Sequence, residues 1–77
     1  MSLRIRFLTT TDDPQEQMRV ADDVRKINDV EQVFQEFAGN NDPVLKKVFN
    51  AVLKKGLTPC EGVDKAGEIG GVEGVTH

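Results

Sequence analysis

Asp42 to Leu57 is the stretch that most constrains this chain, because its apolar residues Leu45, Val48, Phe49, Val52 and Leu53 fall at i, i+3, i+4, i+7 and i+8. That spacing is the stripe of a helix lying on an apolar surface. Asp42 suits the N-cap, and Pro43 suits the first helical position, where a missing N–H costs nothing. Gly56 suits the left-handed residue after a helix end, with Leu57 folding back onto Leu53 or Val52. Lys54 and Lys55 complement the negative end of the helix dipole. Start, stripe and stop agree on a helix over about residues 43–55.

A second helix start precedes it. Asp13 is an N-cap, Pro14 a first position, and Glu16 completes a capping box. From there Met18, Val20, Ala21, Val24, Ile27, Val30, Val33, Phe34, Phe37 and Ala38 keep one apolar seam to residue 38. Asn28-Asp29 interrupts the seam. It reads as an exposed or kinked position in one helix, or as the split where Asn28 caps a new helix with Glu31 three residues on. Ala38-Gly39-Asn40-Asn41-Asp42-Pro43 is a turn, since Gly and Asn tolerate positive φ and Asp-Pro starts the next element. So short a connection makes antiparallel neighbours of the helices. The sequence thus predicts a mostly α fold, an antiparallel helical hairpin of about residues 14–38 and 43–55. Its core would be Val24, Ile27, Val30, Phe34, Phe37, Leu45, Val48, Phe49, Val52 and Leu53.

Two arms flank the hairpin in this reading, giving segments 1–11, 12–57 and 58–77. Over residues 3–10, Leu3, Ile5 and Phe7 alternate with Arg4 and Arg6, and Thr9, Thr10 and Thr11 add β-branching. Period two marks an extended or β segment. The weak internal candidate to pair with it, Ile69 to Thr76, is broken by Gly70, Gly71 and Gly74, so the segment is expected either to pack as an arm on the helices or to join a sheet in another chain. Residues 58–77 read as an irregular Gly-rich tail, because Pro59 ends the helix and Val63, Ile69, Val72 and Val75 are too few to order the segment. Both arms are expected to order on a partner.

With 77 residues, the chain makes one small domain whose stability should be on the order of 3–5 kcal/mol. Cys60 is the only cysteine and His77 the only histidine, so internal disulfides are excluded and a zinc site is not supported. Partner subunits remain as the source of extra stability. The lone Cys fits a reducing compartment. No apolar run has the length of a bilayer span, and no secretory h-region opens the chain. A cytoplasmic or intravirion location is the expectation.

Charge is segregated along the chain. Residues 1–42 hold five basic and nine acidic side chains, residues 43–57 four Lys and no acid, and residues 58–77 one Lys and four acids. The acidic first helix should therefore face the Lys-rich second one.

No constellation for enzyme chemistry emerges. Cys60 follows a helix C-terminus, the wrong end of the dipole for a thiolate. Asp12-Asp13 and Asp22-Asp23 are adjacent and do not face each other on a helix. Gly70-Gly71-Val72-Glu73-Gly74 lacks the lysine and the flanking elements of a phosphate loop. No cofactor and no small-molecule substrate are implied. The expected function is a non-enzymatic protein-interaction or assembly subunit, a small accessory component of a larger complex, for which a virus-encoded protein would fit. Leu3, Ile5, Phe7, Lys46, Lys47, Lys54, Lys55, Val63, Ile69 and Val72 are its candidate partner-binding residues. The second-ranked reading is a helix-turn-helix-like DNA-binding regulator using Lys46, Lys47, Asn50, Lys54 and Lys55 on a helix. Against it stand the missing arginine on that helix and the acidic flanks. A small inhibitor of a larger enzyme ranks third. Self-association or a protein partner is expected, with nucleic acid less favoured.

Overall fold

The computed structural model describes residues 3–28, 30–54 and 59–76, with the side chains of residues 59–62 left aside. It overturns the helical hairpin. The order is β1 (Arg4–Thr9), α1 (Pro14–Arg25), β2 (Val30–Gln35), a 3-10 turn (Leu45–Lys47), β3 (Val48–Leu53), α2 (Pro59–Gly67) and β4 (Val72–Thr76). The strands form one four-stranded antiparallel sheet in the order β2-β3-β1-β4. Each helix therefore connects two strands that are separated by a third. Both helices contribute to a single apolar core, Val20, Ala21 and Val24 from α1 and Ala66 from α2, against Ile5, Phe7, Phe49, Ala51 and Leu53. The other face of the sheet carries no helix.

Strand β1 forms for the reason its alternation suggests. Ile5, Phe7 and Thr9 are buried against the helices while Arg4 and Arg6 are exposed on the open face. It is no arm, however. It lies between β3 and β4, and Phe7 stacks on Phe49 with ring centroids 5.6 Å apart. Helix α1 starts as its cap predicts: the Asp13 carboxylate accepts the Gln15 N–H at 3.0 Å, with Pro14 first in the helix. The capping box does not form as expected, since the Asp13 N–H donates to the Thr11 hydroxyl at 3.1 Å. The helix ends at Arg25, and the acids of its wet face pair within it, Arg19 with Glu16 and Asp23, and Arg25 with Asp22. They do not face a Lys-rich helix.

The continuation to residue 38 and the helix over 43–55 are strands, and two physical effects explain the misreading. Strand β3 lies between β2 and β1, and its open-face residues Val48 and Asn50 are buried as well as those that face the helices. Val48, Phe49, Asn50, Ala51 and Leu53 are all buried. Two-sided burial erases the alternation that marks a strand, and a short apolar run then fits the helical spacing by chance. In β2 a bulge between Val30 and Gln32 brings Val30 and Val33 to the same buried face. An inserted residue turns period two into a spacing of three, which imitates a helix. The start signal at Asp42-Pro43 is real but short-lived. The Asp42 carboxylate accepts the Val44 N–H at 2.8 Å, and its carbonyl accepts the Lys46 N–H at 3.0 Å. From Val48 the main chain pairs in the sheet instead. Of the expected core, Phe34 and Phe37 are each 37% exposed, and Leu45 and Val52 are only partly buried.

The expected irregular tail is also corrected, because residues 59–67 are helical and 72–76 form an edge strand. Val63, Ile69, Val72 and Val75 pack against the core as partly buried residues. Gly74, at φ +59°, sits where the β1–β4 register shifts between Arg6 and Leu8. That bulge lets Val72 and Val75 both turn to the core and sets Thr76 opposite Arg6 on the open face. Gly71, at φ +97°, lies close over Val20, and its carbonyl accepts the Thr10 N–H at 2.9 Å.

Candidate functional site

Two concavities flank the sheet. The first is a groove of about 330 Å³ between α1 and the outer strand β2, whose apolar wall includes Pro14, Met18, Ala21, Val33 and Phe49. Met18 is 68% exposed, more than any other large apolar side chain among the described residues. Strand β2 is a sheet edge. Because the Glu36 N–H donates to the Val48 carbonyl at 2.9 Å, the alternation turns the main-chain groups of Val33 and Gln35 toward the free side. The Arg25 guanidinium reaches the Val33 carbonyl at 3.5 Å, so one outward acceptor is partly covered from α1. An edge strand beside an exposed apolar groove is the arrangement that accepts an added strand or a second chain.

At the inner end of the groove the side-chain amide of Gln17, only 6% exposed, ties three segments together. Its Nε2 donates to the Thr9 hydroxyl at 3.3 Å, the Thr11 carbonyl at 3.2 Å and the Lys46 carbonyl at 2.9 Å. The Gln35 amide donates to the same Lys46 carbonyl. These bonds hold the 36–47 connection against α1 and β2 and so fix the groove wall.

The second concavity lies on the open face, about 230 Å³, lined by Arg4, Ile5, Arg6, Asn50 and Thr76. Asn50, Arg6 and Thr76 stand in one cross-strand row, with Arg4 next along β1. Arg6 donates to Glu36 at 2.7 Å. Among the described residues no group of three or more His, Cys, Asp or Glu side chains is placed to hold a metal, and no helix is long and apolar enough to cross a membrane.

The expected partner-binding residues are scattered by this fold. Ile5 and Phe7 lie in the core at 1% and 0% exposure, while Leu3, just before β1, is 50% exposed. Lys46 and Lys47 sit half-buried in the 3-10 turn, Lys54 is exposed beyond β3, and Lys55 lies outside the described residues. Val63 is in α2, Ile69 in the turn after it and Val72 in β4. The lysines therefore do not form one helical face. Sequence reasoning gave no role to Arg25 or Thr76, took Met18 and Phe34 as part of a helical apolar seam, and assigned Asn50 only to the helix-turn-helix reading. The alternation of Arg4 and Arg6 was the legible signal, since in a strand of the chain's own sheet it puts both guanidiniums on one face.

The β-α-β-β-α-β order with β1 and β3 central defines a split β-α-β, ferredoxin-like arrangement. Such an architecture hosts many unrelated functions, so the sites and not the fold must carry the functional argument. Comparison of the chain with protein-family models, curated proteins and solved structures finds no match.

Proposed function

We propose that this chain is a non-enzymatic interaction module, a small accessory or assembly subunit that engages a protein partner or a second copy along β2 and the α1–β2 groove. The supporting observation is the exposed Met18 side chain in an apolar groove, beside a strand edge whose outward main-chain groups have room for another strand. Main-chain hydrogen bonds would supply affinity and the groove would select a side chain. A small inhibitor that masks a larger enzyme uses the same physics and remains within this reading. The helix-turn-helix alternative lacks its scaffold, because residues 48–53 are a central strand.

Placing a photo-crosslinking residue at Met18 in the cells that make the protein tests the reading. A discrete protein adduct is expected, and Arg25→Glu, a charge reversal at an exposed position in the groove lining, should weaken it. An adduct pattern identical to that from the same probe at Glu68, an exposed residue beyond α2, would overturn it.

A further inference from the structure

The open-face concavity is a site the interaction reading does not use. Four side chains converge on it from three strands. Arg4 is exposed, and among the described residues no carboxylate pairs with it. Arg6 gives one nitrogen to Glu36 and keeps further N–H donors in its planar fork. Thr76 adds a hydroxyl, brought opposite Arg6 by the Gly74 bulge; an unbroken register from Leu8–Glu73 would have put the isopropyl group of Val75 there. Asn50 forms part of the floor. Its side chain is 2% exposed, yet its Nδ2 has no hydrogen-bond partner. A buried amide without a partner costs about 1–3 kcal/mol, so a structural role alone gives no reason to keep Asn here rather than an apolar residue. Its Nδ2 is thus an unused donor in a residue that lines the concavity.

We propose that Arg4, Arg6, Asn50 and Thr76 form a binding site for the phosphoryl group of a small ligand. Two guanidiniums, a hydroxyl and an amide supply N–H and O–H donors from several directions, which suits a tetrahedral oxyanion better than a planar carboxylate with two acceptor atoms. The site is roomier than the oxyanion alone: 230 Å³ is several times the roughly 30 Å³ share of one water. The organic part of an ester fits beside the phosphoryl group. The acidic residues of this face, Glu36 and Glu73, lie in the next row with Leu8 and Val48, and Glu36 is neutralised by Arg6.

The test is titration of the isotope-labelled protein with inorganic phosphate, methyl phosphate and dimethyl phosphate, with acetate and chloride as controls at matched ionic strength. Saturable shifts of the Arg4, Arg6, Asn50 and Thr76 amides and of the Asn50 side-chain NH₂ are expected with phosphate and at least one ester. Preference for the monoester points to a free metabolite, and equal binding of the diester to a phosphodiester. Arg4→Gln, at an exposed position, should weaken binding about tenfold, whereas Lys26→Gln, which removes the same charge at the end of α1, should leave it unchanged. Asn50→Leu should abolish binding while the melting temperature holds or rises. Shifts that spread over the surface, that chloride or acetate reproduces, or that survive both Arg4→Gln and Asn50→Leu would overturn the proposal.

Discussion

Gly71→Ala is the sharpest test of how β4 is seated. Gly71 opens β4 at φ +97°, and a Cβ built there would stand 2.7 Å from Val20 Cγ2 and 3.3 Å from Arg19 Nη2. Arg19 is flexible and half-exposed and can move. Val20 is a β-branched core residue with 0% exposure and cannot. The left-handed backbone costs an L-residue about 1–2 kcal/mol, and the overpacking against Val20 adds about 1–3 kcal/mol. The sum, about 2–5 kcal/mol, rivals the whole stability of a domain this small. At 4–8 °C for each kcal/mol, the melting temperature should fall by roughly 8–40 °C. Gly39→Ala is the matched control: φ is +82° there, but no atom lies within 4 Å of the added Cβ. It should show the backbone part alone. Thermal unfolding followed by far-ultraviolet circular dichroism gives both values. If Gly71→Ala melts with or above Gly39→Ala, the close approach of β4 to Val20 is not a feature of the folded protein, and the seating of β4 argued above is wrong.

Other expectations follow from single contacts. Phe7→Ala removes a ring with no exposure stacked on Phe49 and should cost about 3–5 kcal/mol, read as a loss of the cooperative urea transition; a midpoint within error of wild type would contradict the sheet register. Gln17→Glu puts a carboxylate where an amide donates to three oxygens, so it should destabilise more at pH 7 than at about pH 4, where a protonated acid regains one donor. Equal losses at both pH values, measured against wild type, would show that Gln17 faces water. Arg6→Gln breaks an ion pair whose Arg side chain is 54% exposed, and should shift the urea midpoint only slightly, by no more than about 1 kcal/mol of stability. A larger effect would mean that Arg6 supports the sheet as well as the open-face site.

What this sequence determined by itself was local. Asp13-Pro14 starts a helix because a carboxylate that accepts from the first turn and a residue with φ already set act without help from distant parts of the chain. The alternation of Ile5 and Phe7 with Arg4 and Arg6 marks a strand for the same reason, since each residue's face follows from its neighbours alone. Its partner β3 was not legible, and the glycines of Ile69 to Thr76 weakened the one internal candidate, which does pair with it as β4, so the strand read as an arm. Only the tertiary structure decided that residues 48–53 are a strand, because burial on both faces removes the alternation by which a strand is recognised. The bulges at Val30–Gln32 and Arg6–Leu8 were hidden likewise, each placing two valines three apart on one face. A spacing of three is helical by local rules and becomes a bulged strand only when a neighbouring strand fixes the register. The groove and the open-face row inherit the same dependence. Met18 and Val33, or Arg6, Asn50 and Thr76, lie far apart along the chain, and only the tertiary fold brings them together.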